Sequence, residues 1–173
     1  MRPFIELSLH TGCRKGELLG LEWSRVDLNR DLFFLVAQHT KTARRRSVPL
    51  NKFARVALIE QARFRAKYCP DSSWVFCHKD GSQVKDVKRS FSTALKKSGI
   101  EDFRVHDLRH TCAAWLVSAG VALAEVRDLL GHQSIQMTER YAHLAPENVR
   151  AAVAKLETIE PYESRFGHVL ENG

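Results

Sequence analysis

Imidazoles, a guanidinium and a phenol fall within one short stretch of this 173-residue chain. The stretch reads His106-Asp107-Leu108-Arg109-His110-Thr111, then an apolar run of helical period, then Leu130-Gly131-His132, with Tyr141 nine residues beyond that histidine. Such a set suits phosphate chemistry, because a guanidinium fork matches two phosphate oxygens and a phenol is a potential nucleophile. A second arginine would complete the pocket. One stands near the other end of the chain, in Thr11-Gly12-Cys13-Arg14-Lys15-Gly16-Glu17-Leu18.

Each motif alone is weak, but their order and flanking residues reinforce one another. Arg14 within TGxRxGEL, His106 and Arg109 within HDLRHT, His132 within LGH and Tyr141 downstream resemble the catalytic domain of the tyrosine recombinases, or phage integrases. The resemblance runs from about Phe4 to Leu156. It implies a mostly helical α+β fold with a small antiparallel β-sheet. It also implies breakage and rejoining of double-stranded DNA, in which Tyr141 attacks a phosphate, forms a 3′-phosphotyrosyl link and frees a 5′-hydroxyl.

The same resemblance distributes the roles. Arg14 and Arg109 would hold the non-bridging oxygens, and His106 would accept the phenol proton or hydrogen-bond the phosphate. His132 would donate a hydrogen bond to the transition state. Lys41, in Thr40-Lys41-Thr42, matches the hairpin lysine that protonates the leaving oxygen. Tyr141, with a free-phenol pKa of about 10, is expected to be acidified by nearby cations. Glu17 would orient Arg14 from behind, although a plain pair three residues apart on one helix is the simpler reading. His110 reads as a packing or supporting neighbour of His106.

Arg44, Arg45 and Arg46 follow Lys41 closely and read as phosphate neutralisers. Lys85, Lys88 and Arg89 lie on an amphipathic stretch that either tracks a DNA backbone or is a solvated face. No cofactor or metal is expected. The histidines come with arginine and without a suitable fourth zinc ligand, and no carboxylate cluster suited to Mg²⁺ is evident. Two other functions share these residues: supercoil relaxation of the type IB topoisomerase kind, and DNA binding by a module with a decayed pocket. In the family, exchange runs in a homo-tetramer on two DNA sites with C-terminal segments traded between protomers. Val149 to Leu156 is the candidate segment here, and equally a candidate for a last helix packed on its own protomer.

Composition is compatible with this. The length suits one domain, 44% of residues are hydrophobic, and 27 Lys and Arg against 20 Asp and Glu give a net charge of +7. That balance favours a polyanionic partner, or an inert basic surface. Cys13, Cys69, Cys77 and Cys112 show no paired spacing and read as free thiols in a reducing compartment. With no spanning apolar run and no signal pattern, a cytoplasmic, nucleoid-associated protein is expected. Residues 1–157 are expected to form the catalytic domain and 158–173 a loosely held tail. About a dozen residues precede Arg14, so the family's N-terminal DNA-gripping domain is expected to be absent and DNA binding weak and salt-sensitive.

These groups need positioning elements, which the hydrophobic pattern supplies. A helix from about Phe4 to Leu9 breaks near Gly12, and a second starts at Arg14 and buries Leu18, Leu19 and Leu21. Leu32 to Gln38 and Arg44 to Leu50 read as a hairpin around His39 to Ala43, with Pro49 at a strand end or edge. Asn51 caps a helix to about Tyr68. Trp74 to Cys77 is a strand candidate, and Val84 to Ser98 is an amphipathic helix burying Val84, Val87, Phe91 and Leu95. Further helices run from His106 to about Ala119 and from Ala122 to Leu130, the latter stopped by Gly131. Ser134 is expected to cap the helix leading to Tyr141, and Glu147 to Glu157 to form the last helix.

Overall fold

The first helix, α1 (Arg2–Thr11), begins with Pro3 in its opening turn, where a missing N–H costs nothing. It buries Phe4, Leu7, Ser8 and Thr11 and ends at Gly12, whose φ of 62° lets its N–H bond back to the Ser8 carbonyl. The computed structural model describes residues 1–36, 45–146 and 153–158. After α1 come α2 (Lys15–Leu19), a 3₁₀ turn (Trp23–Arg25), and strands β1 (Val26–Asp27), β2 (Leu32–Leu35) and β3 (Arg46–Pro49). Helices α3 (Lys52–Tyr68), α4 (Lys88–Ser98), α5 (Asp107–Ser118), α6 (Leu123–Leu130) and α7 (Gln136–Glu139) follow, then a 3₁₀ turn at Ala142–Leu144.

The strands form one antiparallel sheet in the order β1-β2-β3. Register pairs Phe33 with Val26 and Val48, and Leu35 with Arg46. Since directly opposed residues share a face and strand side chains alternate, Phe33, Leu35 and Val48 enter the core while Phe34 is exposed. Arg46, opposite Leu35, lies on that inward face too. Pro49 ends the edge strand β3, where its missing donor is tolerated. Asn51 caps α3 by accepting the N–H groups of Phe53 and Ala54.

Two hydrophobic clusters result. The larger joins α1, α2, the sheet and α3 through residues such as Phe4, Leu18, Phe33 and Leu58, and extends to Phe91 and Leu108. The smaller comprises Ala113, Val117, Val126, Leu130 and Tyr141, from α5, α6 and the turn after α7. Helix α5 contributes to both, its first turn to the larger and its second half to the smaller. Gly12 sits at the seam: a Cβ there would come within 2.3 Å of Leu130 Cδ2 and 3.2 Å of Cys112 Sγ.

Several expectations need correction. Trp74 to Cys77 is no strand; Trp74 and Cys77 make isolated bridges to Glu22 and Gln83, and the run follows the core without a ladder. Val84 to Val87 is not helical, because the Asp86 carboxylate accepts the N–H groups of Val87 and Lys88 and so sets the start of α4. Val87 and Phe91 are nevertheless buried as the pattern required. Ser134 does not cap α7, whose N-cap is Ile135 without a side-chain bond. The hairpin turn and most of the last helix lie outside the described residues. In the described part, Val153 and Leu156 are exposed. All four cysteines are free and buried. No helix among the described residues is long and apolar enough to cross a membrane.

Gly12 combines a left-handed backbone with a close approach, whereas Gly99 has a φ of 65° and nothing within 4 Å of a Cβ. Gly99→Ala therefore reports backbone strain alone, about 1 kcal/mol, and Gly12→Ala adds the contact with Leu130. Urea unfolding should show the Gly12 variant losing clearly more stability, about 1–3 kcal/mol, and equal losses would remove the seam argument.

Candidate active site

Arg14 is the N-cap of α2, with extended backbone (φ −69°, ψ 151°). Glu17, in the first turn of α2, folds back on it: Oε2 accepts the Arg14 backbone N–H at 2.8 Å and Oε1 accepts Arg14 Nη1 at 2.9 Å. The Glu17 side chain is completely buried. A carboxylate taken out of water needs every acceptor position filled, and a second arginine fills the rest. Arg46 donates from Nη1 to Oε1 at 3.2 Å and from Nη2 to Oε2 at 3.0 Å, a two-pronged fork from the inward face of β3.

The opposing wall is α5. His106 stands at its N-cap, and Arg109, buried in its first turn, donates from Nη1 to the Gly12 carbonyl at 2.7 Å. Its Nη2 is buried with no acceptor among the described residues, an arrangement that favours an incoming anion. Arg14 Nη2 reaches in turn toward the Gly131 carbonyl at 3.4 Å. The two guanidiniums thus converge across the seam. A cleft of about 530 Å³ opens onto His106 and Arg109, with Lys15, Lys88 and Arg104 also on its walls.

Gly131 ends α6 with φ 65°, so the chain turns and the His132 N–H bonds to the Arg127 carbonyl. His132 Nδ1 is held at 2.8 Å by the hydroxyl of Thr138, itself fully buried. When that hydroxyl donates to Nδ1, the neutral ring carries its proton on Nε2. Tyr141 follows α7, its ring in the smaller core and its hydroxyl hydrogen-bonded to Nδ1 of His110. His106 stacks edge-on against His110 at 4.7 Å between ring centroids.

Burial dominates the electrostatics. Desolvation, followed by the Arg14 charge, brings Arg109 down to about 10. His132 falls to about 4 through burial and then the charges of Arg109 and Arg14, so it is neutral at physiological pH. His106 is lowered by burial first and His110 next. Tyr141 shifts opposite to expectation: burial raises its pKa and outweighs the acidifying effect of Arg140 and Arg109.

Most of the expected residues meet here: Arg14, Glu17, His106, Arg109, His110, His132 and Tyr141 share the seam. The partner of the phenol is His110 rather than His106. Arg46 is a correction, since it is 13% exposed and paired with Glu17 instead of lying free in a basic loop. Its alternation with Val48 on a strand was the available signal. Arg45 is exposed and borders a second cleft that includes Gly131 and His132. Lys88 lines the main cleft, whereas Lys85 and Arg89 are exposed and line neither cleft. Lys41 and Arg44 lie outside the described residues. Thr138 was missed, because its role depends on a turn that sequence periodicity does not show.

The His132 shift carries a pH signature. The unfolded chain takes up this proton near pH 6.5 and the folded chain only near 4. Stability from the neutral ring is therefore fully present above pH 6.5 and declines as pH falls toward 4. In urea titrations without DNA, the unfolding free energy of wild type should drop between pH 7 and 5, and His132→Gln should drop less. Identical pH profiles would contradict the assignment.

The phage integrase family model matches residues 1–148. The integrase of Salmonella phage P22 is 34% identical over 172 residues, spanning 92% of this chain and 43% of that protein. Tyrosine recombinase XerC of Corynebacterium glutamicum is 31% identical over 153 residues, spanning 87% of this chain and 49% of that protein. The chain therefore spans somewhat under half the length of these relatives. In fold it is similar to the Tn1549 transposon integrase, solved in complex with a circular intermediate DNA, with a TM-score of 0.73 at 22% identity over 91% of this chain and 58% of that one. By sequence and by fold, the chain belongs to the phage integrase family.

Proposed function

We propose that this chain is the catalytic part of a site-specific DNA recombinase that cleaves and rejoins strands through Tyr141. The reading rests above all on the convergence of Arg14 and Arg109, each bonded to a glycine carbonyl on the far side of the seam. Two guanidiniums from opposite ends of the sequence, one with a buried nitrogen that has no acceptor among the described residues, suit a phosphodiester whose equatorial oxygens gain charge during displacement.

The Tyr141 oxygen attacks phosphorus while its proton passes to Nδ1 of His110, which already shares a hydrogen bond with it. Because burial raises the phenol pKa, deprotonation accompanies attack rather than preceding it. The P–O bond to the 5′ oxygen breaks, and Lys41 supplies the proton to that oxygen. Neutral His132 donates from Nε2 to a non-bridging oxygen, with Thr138 fixing the tautomer. The 3′-phosphotyrosyl bond keeps the energy of the broken strand, and a 5′-hydroxyl from a second strand reverses the sequence.

Duplex DNA is the partner, approached by the cleft bearing Lys15, Lys88 and Arg104. Strand exchange proceeds in a homo-tetramer on two sites, in which exposed Val153 and Leu156 find a neighbour's surface. Simple supercoil relaxation is the less favoured activity, since the relatives are integrases and tyrosine recombinases.

The test uses a nicked duplex carrying a site captured by wild-type protein from a randomised pool. A denaturing gel should show a covalent band that survives EDTA and is lost in Tyr141→Phe. Arg14→Ala should slow its appearance by about 10²–10³-fold. A band retained by Tyr141→Phe, or one requiring a metal, would overturn the proposal.

A further inference from the structure

Arg46 was expected to meet DNA, yet its surroundings assign it other work. On β3 it faces inward in register with Leu35 and on the same side as Val48, both core residues. A guanidinium there must find a buried counter-charge, and Glu17 is that group, held by both prongs of the fork. The same carboxylate holds Arg14 by its side chain and by its backbone N–H. Arg46 also lies under the turn that presents His132: a Cβ at Gly131 would fall 2.4 Å from Arg46 Nη1 and 3.1 Å from its Cζ. Its Nη2 touches the Cys13 sulfur at 3.7 Å, beside the backbone of Arg14.

We infer that Arg46 is a positioning residue for strand cleavage. It fixes the direction of Arg14 through Glu17 and supports the Gly131 turn, so that strand β3 is joined to both the first arginine and His132. The inference rests on the recombinase reading of the site. Arg46 does not itself touch the phosphate, because both prongs of its fork are committed to Glu17 and its side chain is 13% exposed. Its third nitrogen, Nε, is buried without an acceptor among the described residues. With Glu17 as the counter-ion between them, removing Arg46 frees the carboxylate to rotate and to draw Arg14 out of line. A misplacement of about 1 Å is enough to cost on the order of 10²-fold in rate.

The experiment compares Arg46→Ala, Arg46→Lys, Arg14→Ala and the Arg14→Ala/Arg46→Ala double variant on the nicked duplex selected with wild type. It measures the single-turnover rate of covalent linkage, the duplex Kd, and the slope of log Kd against log salt. Expected for Arg46→Ala is a cleavage rate lower by about 10–100-fold, with Kd within about threefold of wild type and the salt slope unchanged. Arg46→Lys, which keeps the charge but not the fork, should fall between the two. The double variant should be slower than Arg14→Ala alone by clearly less than the full Arg46→Ala factor, because part of the Arg46 effect passes through Arg14 and only the support of the Gly131 turn remains to be lost.

Three results would overturn the inference: a salt slope reduced by about one together with weaker binding, which marks a direct phosphate contact; losses that multiply in the double variant; or wild-type cleavage by Arg46→Ala. If Arg46→Ala does not fold, Arg46→Lys serves the same comparison, and wild-type cleavage by it would equally contradict the need for a fork. Absence of any covalent product from wild type would instead sink the recombinase reading and is visible before any Arg46 variant is made.

Discussion

The arrangement depends on one buried carboxylate. Glu17 has no exposed side-chain surface, and an unpaired charge in that place would cost several kcal/mol. Its acceptor positions are taken by Arg14, by the N–H that opens α2 and by Arg46. Because the three donors come from the start of α2 and from β3, satisfying a single charge docks the sheet against the helix. Arg109 lies beside Arg14, Arg46 and Glu17, of which only Glu17 is negative, and its pKa is depressed by burial first and by the Arg14 charge next. The pocket is thus short of negative charge by construction, which is the condition a phosphate relieves.

The site follows from the way the two cores meet. The larger cluster fixes Arg14 and Glu17, and the smaller one fixes His132 and Tyr141. Helix α5 runs through both and carries His106, Arg109 and His110 along the boundary. Gly12 leaves room there for the Leu130 and Cys112 side chains and Gly131 for that of Arg46, and the two glycine carbonyls are the groups to which Arg109 and Arg14 donate. A side chain at either glycine would push the walls apart. The reactive groups are thereby placed by packing between elements rather than by any one loop.

Much of this was legible in the sequence because the signals are local. Asn51 as a cap, Gly131 as a stop, Pro49 at an edge and the apolar faces of α1, α3, α5 and α6 all express rules that act within one turn or one strand. What failed was equally physical. Trp74 to Cys77 looks like a strand, but pairing depends on a partner that sequence does not name. Asp86 moved the start of α4 by capturing two N–H groups, overriding an apolar period that continued through it. The pairings of Arg46 with Glu17 and of Tyr141 with His110 cross 29 and 31 residues, so no window along the chain displays them. The direction of the Tyr141 shift was missed because burial, a three-dimensional quantity, exceeded the cationic effect that motif reading anticipates.

The raised pKa of Tyr141 has a consequence for the idle protein. Almost none of the phenol is ionised between encounters, so the residue is a poor reagent toward stray electrophiles and toward phosphates that drift past without being gripped. In the proposed mechanism, reactivity arises only when a correctly seated diester lets bond formation and proton departure proceed together. Chemical restraint at rest is thus a by-product of packing the ring among leucines and valines.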